Sequence, residues 1–116
     1  MADQEILIDV DGGKIECPRI SAKKHDKLSW KCAHPFAVDF GWDTPFYQKE
    51  KIKNKKEPDA QGKKVSEPES ICVDADGVGR RLKFKYTVAV FKPADPADPT
   101  TEDEVLIEDP EVLIDP

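Results

Sequence analysis

Across residues 28–40 apolar side chains fall on every second position, with one interruption, and this period admits little besides β-structure. Leu28, Trp30 and Cys32 are expected to share the buried face of a strand, with Ser29 and Lys31 toward water. Phe36, Val38 and Phe40 repeat the pattern against Ala37 and Asp39. His34-Pro35 breaks the period, so the strand must bend, bulge or change sheet there. Gly41-Trp42-Asp43-Thr44-Pro45-Phe46 then reads as a turn with two large aromatics, of which Trp42 and Phe46 are expected to close one end of the core. Both tryptophans and three of the five phenylalanines lie in residues 28–46, so the remaining strands are expected to cover this stretch.

The flanks repeat the β signature. Ile6, Ile8 and Val10 alternate with Leu7 and Asp9, Asp11-Gly12-Gly13 turns the chain, and Ile15 and Cys17 share a face of the returning strand. Short strands are expected from Ile20 and from Ser70, with a charged turn over residues 23–27 and a Gly-rich turn over residues 74–79. Residues 82–91 should form the longest strand, with Phe84, Tyr86, Val88 and Val90 on one face. Pro93, Pro96 and Pro99 read as a stiff extended linker. In the tail, Val105-Leu106-Ile107 and Val112-Leu113-Ile114 each follow a glutamate and precede an Asp-Pro, and each predicts one edge strand.

Two stretches stand apart by charge. Residues 47–64 carry seven lysines against three acids, within a long exposed loop at 47–69. Residues 94–116 form an acidic segment with nine acids and no base. The split predicts either solvated stretches, mutual attraction, or docking to a partner.

A length of 116 residues suits a single domain, 1–116. The net charge of −6 argues against nucleic acid, since phosphate contacts need a basic surplus. No apolar run approaches the roughly 20 residues that span a bilayer, so no membrane role is expected. The first residues lack a basic then apolar leader, and three cysteines without a CxxC pair suit a reducing compartment, so a cytoplasmic location is expected. Several short strands between turn signals and no convincing helix predict an all-β sandwich of about seven to eight short strands with one long loop.

Three side-chain groups carry possible chemistry. Cys17, Cys32, His34 and Cys72 have the donor types of a Cys3His zinc site, against the plainer expectation of small buried hydrophobes. Cys32 with His34 or His25 offers a nucleophile and base, although no Gly-rich elbow or oxyanion motif accompanies them. Asp74 and Asp76 stand as the first two ligands of a calcium loop would, but the glycine comes early and no glutamate closes the loop. Trp42, Phe46 and Tyr47, followed by Lys49, Lys51 and Lys53, form a candidate partner-binding patch.

Trp30 followed by Phe36-Ala37-Val38-Asp39-Phe40, and the late strand Lys83-Phe84-Lys85-Tyr86-Thr87-Val88, resemble the cupredoxin family of plastocyanin and azurin type. The resemblance covers roughly residues 5–91 as an order of strands. It implies a Greek-key β-sandwich. It also implies a histidine copper ligand where Phe36 stands and a cysteine ligand where Val88 stands. No His-x-x-x-x-Met follows, and Met1 is the only methionine, so a blue-copper site cannot form there. The chain thus resembles copper-free cupredoxin-like domains of bacterial proteins. The expected function is a non-catalytic interaction or accessory module without cofactor, working through a protein partner or self-association. The alternatives are a zinc protein using Cys17, Cys32, His34 and Cys72, or a small enzyme with a cysteine/histidine site.

Overall fold

In the computed structural model, which describes residues 2–47, 50–95 and 97–116, the amino-terminal alternation becomes β1 (Asp3–Asp11), with Ile6 and Ile8 turned inward. Gly12, at φ 62°, takes the left-handed conformation that turns β1 into β2 (Lys14–Glu16). β3 (Ile20–Lys23) and β4 (Lys27–Cys32) follow. β1 pairs antiparallel with β2 and parallel with β4, from Asp3↔Lys27 to Ile8↔Cys32. β7 (Lys64–Val65) and β8 (Glu69–Ser70) both pair with β4, completing a five-stranded sheet.

His34-Pro35 is where the chain changes sheet. β4 ends at Cys32, and β5 (Phe36–Asp39) belongs to a second sheet. That sheet runs in the order β11 (Glu104–Glu108), β10 (Thr87–Lys92), β5, β6 (Ile52–Lys53). A third sheet sets β12 (Glu111–Asp115) between β3 and β9 (Leu82–Lys85). The chain is therefore all-β and β-sandwich-like. One contiguous core draws on all three sheets, through Ile6, Ile8 and Leu28, through Phe36, Val38, Val88 and Val90, and through Ile20, Val112 and Ile114.

Trp30 sits in this core at 0% exposure. Phe40, Phe46 and Tyr86 meet it edge-on at 6.1, 6.1 and 5.7 Å. Burying an indole of this size stabilises the fold by about 4–6 kcal/mol from area alone.

Several sequence expectations are corrected. Twelve strands, not seven or eight, are present among the described residues, because long runs break in two and the 47–69 segment contributes β6, β7 and the start of β8. The longest strand is β1. The run over residues 82–91 divides at Tyr86 into β9 and β10, because Tyr86 faces Pro110: its N–H donates to the Pro110 carbonyl at 3.1 Å, and proline has no N–H to return. The register still continues through the break, from Lys92↔Glu104 to Leu82↔Ile114.

The second tail repeat is not at an edge. β12 is flanked on both sides, and Val112 and Ile114 are fully buried. Pro96 lies outside the described residues, and the described residues around it fold back rather than run extended. Asp98 N–H donates to the Asp95 carbonyl, Thr101 N–H to the Asp98 carbonyl, and Ala94 N–H to the Asp103 carboxylate, joining β10 to β11. Residues 74–79 make one helical turn, α1 (Ala75–Val78), not a plain turn. Asp74 caps its start by accepting the Gly77 N–H, and Gly79 ends it at φ 78°.

Candidate functional site

The turn after β5 is built by short-range polar contacts. The Asp39 carboxylate accepts the Gly41 N–H at 2.8 Å, and Gly41 takes φ 63°. This pairing swings the next residue away from the core. Trp42 is 99% exposed. The expectation that it closes the core is thus reversed, and only Phe46 does so. The chain returns inward at once: Thr44 Oγ1 accepts the Phe46 N–H at 3.2 Å, and the Pro45 carbonyl accepts the Cys72 N–H at 2.7 Å. Phe46 bridges to Ile71 and packs at 5.1 Å on Phe40.

Of the candidate patch, then, Phe46 is a buried peg and not a contact surface, while Trp42 and Tyr47, at 99% and 68% exposure, stand in solvent. Lys49 lies outside the described residues. Lys51 and Lys53 are exposed on either side of buried Ile52, and neither makes an ion pair with a described residue. Among the described residues no ion pair joins the lysine segment to the acidic tail, and β6 and β11 form opposite edges of one sheet. Beside the turn, Asp39, Gly41, Lys85, Thr87 and Asp109 line a shallow open pocket of about 260 Å³. Thr87 Oγ1 donates to Asp109 within it, at 2.9 Å.

The zinc set is not assembled. Among the described residues no group of three or more His, Cys, Asp or Glu side chains is arranged to hold a metal ion. Cys32 points into the core at 0% exposure. Burial raises its thiol pKa, only partly offset by the backbone N–H groups of His34 and Ala33. A group so hidden and so protonated lacks what a nucleophile needs. Cys17 is half-buried, with Sγ 3.4 Å from Tyr86 Oη, and burial raises its pKa too. Cys72 is half-buried in irregular backbone just after Ile71, which bridges to Phe46. His25 is exposed at φ 75° in the turn before β4. Asp74, expected as a turn residue or calcium ligand, is occupied in capping α1 and lies 3.9 Å from Lys24.

One exposed feature escaped the sequence patterning. Phe91, Val105 and Ile107 all reach solvent from the outer face of the second sheet. Three consecutive apolar residues in Glu104-Val105-Leu106-Ile107-Glu108 were the available signal, since one face of any strand there must be apolar and outward.

No helix among the described residues is long and apolar enough to cross a membrane. Compared with known proteins, the chain matches no family model, and no curated protein and no solved structure is significantly similar to it.

Proposed function

We propose that the chain is a non-catalytic interaction module on a copper-free, cupredoxin-like Greek-key sandwich, and that it docks an acidic protein partner through the Trp42 turn and the lysines beyond it. The observation that carries this is the full exposure of Trp42. An indole left in water forgoes the several kcal/mol that Trp30 gains by burial. Here it is held outward by a capped glycine turn on one side and the Phe46 peg on the other. Exposed aromatics on a braced turn are favoured interface anchors, because few rotamers are lost on contact. Lys51 and Lys53, unpaired with any described carboxylate, supply the charge that an acidic partner would meet.

The family resemblance has its own support. Phe36 pairs with Val90 and Val38 with Val88, so the two positions where copper ligands would stand are diagonal neighbours on one face. Both are buried and hydrocarbon. Such a site packs where a cupredoxin would bind metal, which suits an accessory role in place of electron transfer.

The test is site-specific photo-crosslinking in the producing cell, with the crosslinking amino acid at position 42 and, as control, at exposed Val78. One defined acidic protein should be captured from position 42 and not from 78. Capture of nothing, or of the same mixture from both positions, would sink the proposal.

A further inference from the structure

β5 stops where its neighbour goes on. It lies beside β10 in register from Val90↔Phe36 to Thr87↔Asp39, on the side away from β11. β9 and β10 form one line, because β11 and β12 keep a single register along them. Carried past Asp39, β5 would run on beside β9. Instead Gly41, at φ 63°, turns the chain out to Trp42. β9 is left as an edge strand. It pairs with β12 alone, and among the described residues no backbone hydrogen bond reaches its other side. Gly41 and Lys85 line the same shallow pocket, so this edge begins beside the Trp42 turn.

An edge of this kind presents N–H and C=O groups on alternate residues, and an extended main chain is what pairs with them. The side chains select which one. Lys83 and Lys85 are exposed on the outer face, and neither makes an ion pair with a described residue. Lys85 has Glu111 as its cross-strand neighbour and Asp39 and Asp109 around the pocket. Lys83 stands opposite Leu113 and keeps the less compensated charge. Leu82 and Phe84 point the other way, half-buried against the core. Resting on the acidic partner proposed above, we propose that this partner docks by adding a β-strand to the free edge of β9. Cross-strand neighbours share a face, so its residues beside Lys83 and Lys85 are acidic and the one beside Phe84 is apolar. The segment therefore reads acid, apolar, acid. A basic segment is turned away by the same lysines, and a segment without alternation leaves Phe84 half covered.

Nuclear magnetic resonance titration of the isotope-labelled protein with millimolar acetyl-TEVEVT-amide tests this. Amide shifts should move at residues 82–85, and their hydrogen exchange should slow. The lysine peptide acetyl-TKVKVT-amide should do neither. Lys83→Glu should weaken TEVEVT binding by about tenfold or more with an unchanged far-ultraviolet circular dichroism spectrum, since Lys83 is exposed. Strand pairing uses alternate amides, so of two peptides N-methylated at the glutamates or at the valines, one should lose binding and the other keep it. No shift at residues 82–85 would overturn the proposal, as would binding indifferent to Lys83→Glu or to both methylations. Shifts there that grow with protein concentration and no peptide would place a second copy on the edge instead, and overturn it too. The titration uses purified protein and does not depend on capture from position 42, so the two readings fail separately: capture at 42 with no shift along β9 removes the added strand alone.

Discussion

Trp30 Nε1 donates a hydrogen bond to Tyr86 Oη across 3.3 Å, and Cys17 Sγ lies 3.4 Å from the same oxygen. The three residues come from β4, from the join of β9 and β10, and from the position just after β2. One phenol thus ties together strands of all three sheets, at the point where Pro110 interrupts the ladder. Tyr86→Phe removes the acceptor and leaves a buried indole N–H unpaired. The expected loss is about 1–3 kcal/mol, read as a lower urea midpoint at unchanged slope. A midpoint equal to that of the parent would mean that the indole N–H finds another acceptor.

The same cluster sets the response to alkali. Burial raises the thiol pKa of Cys17 and Cys32, and raises the Tyr86 phenol well above its ordinary value, with Cys17 adding to it. In the unfolded chain these groups ionise at ordinary values, while the folded chain keeps their protons. Their contribution is therefore complete below the unfolded pKa values. It falls as pH climbs from there toward the folded ones, by up to about 1.4 kcal/mol per pH unit for each group. Urea midpoints should hold steady from pH 7 to the onset of thiol ionisation and then decline. Tyr86→Phe should flatten the upper part of that decline. A midpoint that rises with pH in this range would contradict the account.

The two tryptophans should behave oppositely on truncation. Trp30→Ala opens a large cavity among Phe40, Phe46 and Tyr86 and should cost about 3–5 kcal/mol. Trp42→Ala removes a side chain that is 99% exposed and should change stability by less than about 0.5 kcal/mol. Chemical denaturation of the two variants side by side checks both. A large cost at Trp42 would show that it packs against the chain.

Gly41→Ala probes the brace of the turn. A Cβ there meets nothing within 4 Å, so the cost comes from the backbone at φ 63° and not from a clash. About 1–2 kcal/mol is expected, together with a changed environment at Trp42. A thermal melt and the emission maximum of Trp42 report the two effects. Unchanged values for both would mean that the turn tolerates a different backbone.

Much of the architecture was legible because buried strands impose a period. Leu28, Trp30, Cys32, Phe36, Val38 and Phe40 are all buried as their alternation requires, and the sheet change at His34-Pro35 follows from the broken period. What alternation cannot convey is which strands become neighbours. Val112-Leu113-Ile114 and Val105-Leu106-Ile107 have the same local pattern, yet β12 is covered on both sides and β11 is an edge. The break at Tyr86 depends on Pro110, distant in sequence and adjacent only through the ladder. At the candidate site, the composition of the patch was readable but its orientation was not. Trp42 and Phe46 are both aromatic turn residues, and only the Asp39–Gly41 and Thr44–Phe46 hydrogen bonds decide which of them faces water.

The central claim is that the Trp42 turn is a docking surface for an acidic partner, and collisional quenching of its fluorescence tests it most directly. Buried Trp30 is shielded and exposed Trp42 is not, so the acrylamide-quenchable emission should vanish in Trp42→Phe and thus belong to Trp42. Titration with poly-L-glutamate should shift that emission to the blue and protect it from acrylamide. Protection should be saturable and should be lost in Lys51→Glu/Lys53→Glu. Quenching that stays unchanged at saturating polyglutamate, or protection that persists without the lysines, would contradict the account.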